Sequence, residues 1–571
     1  MNTAAPKRRT WPAPAAGLLL AILLVNVCVA AYVSAERTIY FWDFANYWNL
    51  FDHYTRLLRD SPMDALRELV GSIRYSEYNG IAAFLLAPLG LLFGTSRLVY
   101  ILGVTNLYAI PSAFAAAWAA AGHARDGKLR AAGLGFALVV TSAAIWHPVL
   151  RGFVAVGSLI AGFTVYGIWI REPSSRWRIS RILLVGFLLA AMILFRRIHA
   201  YFVVGFGVAA FAVDVLPLLA ARDTRRAGWI ALLRLSATGL AAALVMLAVS
   251  TPMTVAMVKN DYTALYRMYQ SGRGLPAQIG SGIGYFGLIP SLVATAGFLL
   301  ALLDPRLRRA GVFWILQMFV AFITLLQVTD FHRHHYYVLV PGFLMLCHIA
   351  LLRAGTRAAV VFLALCAAGD VLAFVPACEK APGLVLRLFA PARAYPFVRD
   401  DLAEFTRMMR RLDTLPGAAD PDRGVYVLSS SGTLNDDLVR ASRRVLPPAP
   451  GPRAVIRATT NKDPAFFGFP RELLRAAVLV VADPVQVHLA GENRQAVIRA
   501  PCKALLDPRG FGGAYTDTGE VFRLEQGVSV RLFLRTAAPF TPAQLQSLSD
   551  HFFALKPEDP PSAYDFSVPT P

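Results

Sequence analysis

The feature that most limits what this chain can become is a succession of apolar runs. After Lys7-Arg8-Arg9 an apolar stretch covers 15–35. Others lie near 97–121, 132–147, 152–170, 181–195, 200–219, 229–251, 285–303, 310–328, 337–352 and 357–376. A helix that crosses a bilayer needs about 20 mostly apolar residues, so the sequence predicts a multispanning α-helical membrane protein. Composition agrees: 56% of the 571 residues are hydrophobic and only 16% are charged, where a soluble domain carries roughly 25% charged residues. Disorder, a collagen-like fibre and an ordinary soluble enzyme are excluded. Five cysteines without a C-x-x-C pair give neither a disulfide framework nor a thiolate zinc site. The stretch 15–35 reads as an uncleaved span rather than a signal peptide cut after Val33-Ser34-Ala35, because many more spans follow.

The net charge of +20 would suggest nucleic acid in a soluble protein. Here the basic residues cluster between spans: Arg125/Lys128/Arg130, Arg171/Arg176/Arg178/Arg181, Arg222/Arg225/Arg226, Arg306/Arg308/Arg309 and Arg353/Arg357. Cytoplasmic loops of membrane proteins carry this excess. All five clusters share a side with the N-terminus only if the short apolar run 80–94 does not cross. The expected topology is therefore about eleven spans, N-terminus inside and C-terminus outside, with no nucleic-acid partner. The outer set is then a large first loop (36–96), the turn 147–152, 196–199, 252–284, 329–336 and everything after 377. Residues 1–376 are expected to form the transmembrane catalytic module and 377–571 an extracytoplasmic mixed α/β domain. In the latter, 399–412 has helical periodicity, and 424–429, 476–482 and 528–534 read as strands.

Three outer-face constellations could carry chemistry. The first is Asp43, followed by Asn46, Tyr47 and Trp48, with Asp52 and Glu77-Tyr78-Asn79 further on. A carboxylate among aromatics at a membrane surface is partly desolvated, which raises its basicity and suits a base that takes a proton from a hydroxyl. The alternative is an interfacial aromatic belt with an incidental acid. The second is Asp330-Phe-His332-Arg333-His334-His335-Tyr336-Tyr337. By its residues it reads two ways: a loop cap whose Tyr residues anchor at the interface, or a His-rich metal tract. The third is Arg196, Arg197 and His199, with His147 and Arg151. These are cations at outer span ends, where topology supplies no reason for them, and they imply an anionic ligand or snorkelling to headgroups. The loop 252–284 is long enough for a lid. Its Gly282-x-Gly284-x-x-Gly287 follows no strand, so it reads as a flexible entry rather than a dinucleotide site.

An Asp just after the first span, in a large first outer loop, resembles the GT-C glycosyltransferases. These multispanning enzymes use polyprenyl-phosphate sugar donors. Asp43-Phe-Ala-Asn-Tyr-Trp48 resembles their aspartate-tyrosine segment. Tyr78-Asn79-Gly through Pro88, Phe93-Gly94 and Arg97 is similar to their juxtamembrane helix and the entry to the next span. The nearest types are the protein O-mannosyltransferases and the lipid A aminoarabinose transferases. Many members carry Asp-Glu where this chain has Asp43-Phe44, so a second acid is absent or is replaced by Asp52 or Glu77.

The resemblance implies an inverting hexosyl- or pentosyltransferase in a bacterial inner membrane. It would move a sugar from a polyprenyl-phosphate donor to an acceptor hydroxyl on an envelope glycan, lipid or protein, at the outer face. Asp43 would be the base. Arg333, Arg196, Arg197 and Arg151 would hold the donor phosphate. Tyr47, Trp48, Asp52, Glu77, His332, His334 and Tyr336 would line the substrates. No cofactor is indicated, and the missing second acid leaves use of a divalent metal open. The rival functions are a transporter or flippase of a lipid-linked or anionic solute, and a non-catalytic scaffold indifferent to Asp43.

Overall fold

The computed structural model describes residues 12–266, 269–270, 272–389, 393–446, 451–458, 468–489, 491 and 493–568. The chain divides into two compact units. The first holds residues up to 36, 43–263 and 272–396. The second holds 37–42, 264–271 and 397–571.

The first unit is helical. Among the described residues seven helices are long and apolar enough to cross a membrane, or up to nine if each of two bent pairs is one span. It opens with α1 (Pro12–Ser34), α2 (Asp43–Asp60) and α3 (Pro62–Tyr75). Helix α2 is amphipathic: Ala45, Tyr47, Phe51, Tyr54 and Thr55 recur at helical spacing on its buried face. The run 80–94 becomes two short helices, α4 (Ile81–Phe84) and α5 (Ala87–Phe93). At 1.5 Å per residue this pair falls well short of the ~30 Å of a hydrocarbon core.

Next come α6 (Arg97–Ala121), α7 (Lys128–Val140), α8 (Ala143–Leu150), α9 (Val154–Arg171), α10 (Ile179–Phe195) and α11 (His199–Ala220). A π-helical turn lies inside α6 at Thr105–Ala109, and another inside α11 at Phe211–Val215.

Two expectations need correction here. The run read as ending at 251 continues to Lys259 in α12 (Arg225–Lys259), which kinks at Ser250, two residues before Pro252. Proline removes a helix hydrogen bond and bends the helix without ending it. The supposed loop 252–284 therefore shrinks to about 260–274. Its Gly282 and Gly284 lie inside α13 (Leu275–Phe286) and not in a flexible entry. Helix α13 meets α14 (Leu288–Leu303) at a 102° bend. Gly287 makes the corner at φ +86°, and a Cβ there would sit 2.8 Å from the Phe389 carbonyl carbon, so no other residue fits. Helices α15 (Arg308–Leu326), α16 (Val340–Ala354) and α17 (Thr356–Phe374) follow, and a short helix at Gly383–Phe389 ends the unit.

The second unit contains a four-stranded sheet in the order β1 (Val425–Leu428), β2 (Val478–Asp483), β4 (Ser529–Arg535), β3 (Tyr515–Arg523). β1 and β2 are parallel, and the other pairs are antiparallel. Both faces are covered. Val425, Val427, Val478 and Val480 pack against Phe405, Met408 and Leu412 of α18 (Leu402–Thr414). Tyr426, Leu428 and Leu479 face Val497, Leu548 and Phe552. A strand buried on both faces reads as a continuous apolar run, which is why β1 and β2 were legible. β3 escaped notice because a register shift between Asp517 and Val521 interrupts its alternation. The segment 37–42 joins this unit through Arg37, whose N–H donates to the Phe397 carbonyl and whose own carbonyl accepts from the Arg399 N–H, each at 2.8 Å, while Ile39 enters the core.

Candidate active site

Asp43 occupies the first turn of α2, directly after Trp42, which is left-handed at φ 47°. One turn later Tyr47 presents its hydroxyl to Arg196, whose Nη1 donates to it at 2.9 Å. Arg196 lies in the short break between α10 and α11. Its buried guanidinium stands 4.5 Å from the Tyr78 ring centroid and 5.6 Å from that of Tyr47. Asp43 is within Coulomb range of both Arg196 and His332. The large first loop and the 196 break, over 150 positions apart in the chain, thus meet around one carboxylate.

The His-rich tract forms a one-sided wall. Arg333–Val338 is a 3-10 turn. His334 is buried and stacks on Phe153 at 4.5 Å, and Phe153 meets Phe44, the residue after Asp43, at 6.1 Å. His335 packs edge-on to His334 at 4.3 Å. Burial first, then nearby imidazoles (His335 for His334, His332 for both) and Arg196, holds His334 and His335 well below the ordinary histidine range, so they stand neutral at pH 7. Arg333 pairs with the His147 ring nitrogen, and burial pulls its guanidinium down. Tyr336 stacks on Tyr285 at 4.2 Å, and its buried hydroxyl has no hydrogen-bond partner among the described residues. Gln278 donates to Asp330 at 2.8 Å and ties this wall to α13.

The other expected site residues have occupations of their own. Arg151 donates to the Tyr395 carbonyl at 2.8 Å and lies 3.9 Å from Glu36. Arg197 pairs with Glu77, which also accepts from the Tyr262 hydroxyl at 2.8 Å. Asp52 pairs with Arg56 one turn away at 2.6 Å. Nine residues along α2 from Asp43, it falls about 13 Å further on and on the opposite side of the helix. Asp52 is therefore not presented beside Asp43 as a second acid. Trp48 donates its indole N–H to the Thr95 carbonyl at 2.9 Å, fastening α2 to the start of α6. Among the described residues no three His, Cys, Asp or Glu side chains converge as metal ligands.

Phe153, Gln278 and Arg97 were not anticipated as site neighbours. For Arg97 a signal existed: it is a cation at an outer span end with no topological reason, the same signal that picked out Arg196.

Asp43 thus lies close to the buried Arg196 and to the His332 imidazole, within the helical unit that holds the candidate membrane spans. No protein-family model and no curated protein matches this sequence. The fold does have solved counterparts. The chain is similar to ArnT from Cupriavidus metallidurans bound to undecaprenyl phosphate, at 13% identity and TM-score 0.53, covering 93% of this chain and all of that one. Against the apo state of the same protein the identity is again 13%, with TM-score 0.50 and 91% and 98% of the two chains covered.

Proposed function

We propose that this protein is an inner-membrane glycosyltransferase that takes a sugar from a polyprenyl-phosphate donor and passes it to an acceptor hydroxyl on the outer face. One observation carries the reading. In a fold shared over nearly its whole length with a protein crystallised with undecaprenyl phosphate, Asp43 stands beside the buried Arg196–Tyr47 pair.

Asp43 removes the acceptor hydroxyl proton as its oxygen attacks the anomeric carbon. The bond from that carbon to the phosphate oxygen breaks, and polyprenyl phosphate leaves with the electron pair. A single displacement inverts the anomeric centre. The leaving phosphate needs no proton, because Arg333 and Arg196 neutralise its charge in a water-poor setting. Arg151 and Arg197 support this grip from behind, through the Tyr395 carbonyl and through Glu77. The neutral His334 and His335 add donors without adding charge.

The short helices α10 and α16 and the two bent pairs count as crossings in this reading, and α4–α5 lies along the outer surface. That gives eleven spans and keeps every basic cluster inside. Asp43→Asn tests the chemistry. Transfer from an undecaprenyl-phosphate sugar should fall ~10²-fold or more, the usual worth of a positioned base, with the amount of folded protein unchanged. Activity within a few-fold of the parent would reject the assignment.

A further inference from the structure

The turn that carries Asp43 is bonded, at Phe44, to a residue that the proposed chemistry does not use. Arg97 begins α6 behind the cap of Ser96, whose Oγ accepts from the Val99 N–H. Its side chain is buried, with 7% of the residue exposed. Nη1 donates to the Phe44 carbonyl at 2.7 Å, and Nη2 donates to the Arg151 carbonyl at 3.1 Å. The same guanidinium lies 5.5 Å from the Tyr100 ring and 5.7 Å from the Trp48 ring. Tyr100 in turn donates to the Gly152 carbonyl at 2.7 Å.

Three segments remote in sequence therefore meet on one planar cation: the first turn of α2, the start of α6 and the turn after α8. That last turn carries Phe153, which stacks on His334. Gly152 is shaped to this arrangement. It is left-handed at φ +93°, and a Cβ there would lie 2.6 Å from Arg97 Nη2.

We propose that Arg97 is a positioning residue for Asp43: it fixes the turn that carries the base against the His334–Arg333 wall, and it does not touch substrate. The inference rests on the reading of Asp43 as the base. The geometry requires a guanidinium. Two divergent N–H groups on one rigid plane bridge two carbonyls at once, whereas the ammonium of lysine is a single point on a flexible stem. The bridge sets where the Asp43 turn sits and leaves Arg196 and Arg333 as they are. Its loss should therefore slow the chemical step and spare donor binding.

The experiment compares Arg97→Lys, Phe153→Leu and Asp43→Asn in detergent-purified full-length protein. It reads turnover of a panel of undecaprenyl-phosphate sugars, binding of undecaprenyl phosphate alone, and melting temperature. For Arg97→Lys, kcat should drop roughly 10–100-fold, the scale of a misplaced catalytic group. Donor KM and the Kd for undecaprenyl phosphate should stay within about threefold, the signature of an interaction lost only in the transition state. Phe153→Leu loosens the same contacts from their far end. It should show the same split, and it decides the matter if Arg97→Lys does not fold. A kcat within twofold of the parent, or a loss carried by donor KM or Kd, overturns the proposal. If Asp43→Asn keeps its activity, the base assignment fails instead, and that variant alone reveals it.

Discussion

Asp214 offers the sharpest test of how this bundle is held together on the side away from the candidate site. It lies in the π-helical turn of α11, with 1% of its side chain exposed. One carboxylate oxygen accepts from the Trp169 indole N–H at 2.9 Å, the Ser174 N–H at 2.8 Å and the Ser174 hydroxyl at 2.5 Å. The other accepts from Arg309 Nε at 2.9 Å, and that guanidinium lies flat over Trp169 at 3.8 Å. In Asp214→Leu the Ser174 hydroxyl can turn to another acceptor, and Arg309, 31% exposed, can reach water. The indole and the Ser174 amide cannot. Each orphaned buried donor costs about 1–3 kcal/mol, so the variant should lose roughly 3–4 kcal/mol, within the range for breaking a buried charged network. Asp214→Asn keeps one acceptor oxygen for those donors and should lose only about half as much. Arg309→Leu also costs stability, because it leaves the buried carboxylate without its cation, but the Trp169 and Ser174 hydrogen bonds to that carboxylate remain, so the loss should be smaller than in Asp214→Leu. The assay is the fraction of protein still monodisperse in detergent after heating through a temperature series. If Asp214→Leu melts with the parent, or if Arg309→Leu is the worse of the two, then the indole and amide donors are not what the carboxylate satisfies.

Further outcomes follow from the site and the topology. Arg333→Ala and Arg196→Ala should each weaken undecaprenyl phosphate binding by roughly 1.5–3 kcal/mol, the worth of a charged hydrogen bond, with acceptor KM unchanged; a defect confined to the acceptor would refute the phosphate role. Cysteines introduced by Gly127→Cys and Thr224→Cys should be shielded from an impermeant outside thiol reagent, and one from Arg453→Cys should react; labelling of the first two from outside would overturn the topology. His334 and His335 are held neutral in the folded protein, so the unfolded chain binds more protons once pH drops below its ordinary histidine pKa of about 6.5. The stability they contribute is fully present above that pH and is lost as pH falls through it. Melting temperature should therefore decline from pH 7 to pH 5, and His334→Phe, which keeps the stack on Phe153, should flatten part of that decline.

The apolar runs and the basic clusters between them are one-dimensional signals. Lipid demands a length of apolar chain, so candidate spans such as 97–121 were readable without coordinates. β1 and β2 were readable for a related reason, since burial on both faces leaves an unbroken apolar string. Asp43, Arg196 and Arg333 stood out because each is a polar group where neither lipid nor topology gives it cause. Hydrophobicity alone could not decide direction and contact. The kink at Ser250 turned an expected loop into more helix, and Gly287 turned an expected flexible entry into a corner between two helices. The segment 37–42 belongs to the α/β unit because its backbone pairs with residues some 360 positions away. Only the packed chain shows that Arg197 is engaged by Glu77, that Asp52 falls on the far side of α2, and that Arg97 joins Phe44 to Arg151. Hydrogen bonds and ion pairs act over about 3 Å in space, while the sequence separations involved range from 53 to 120 residues, and nothing in local periodicity encodes which of many such pairs will close.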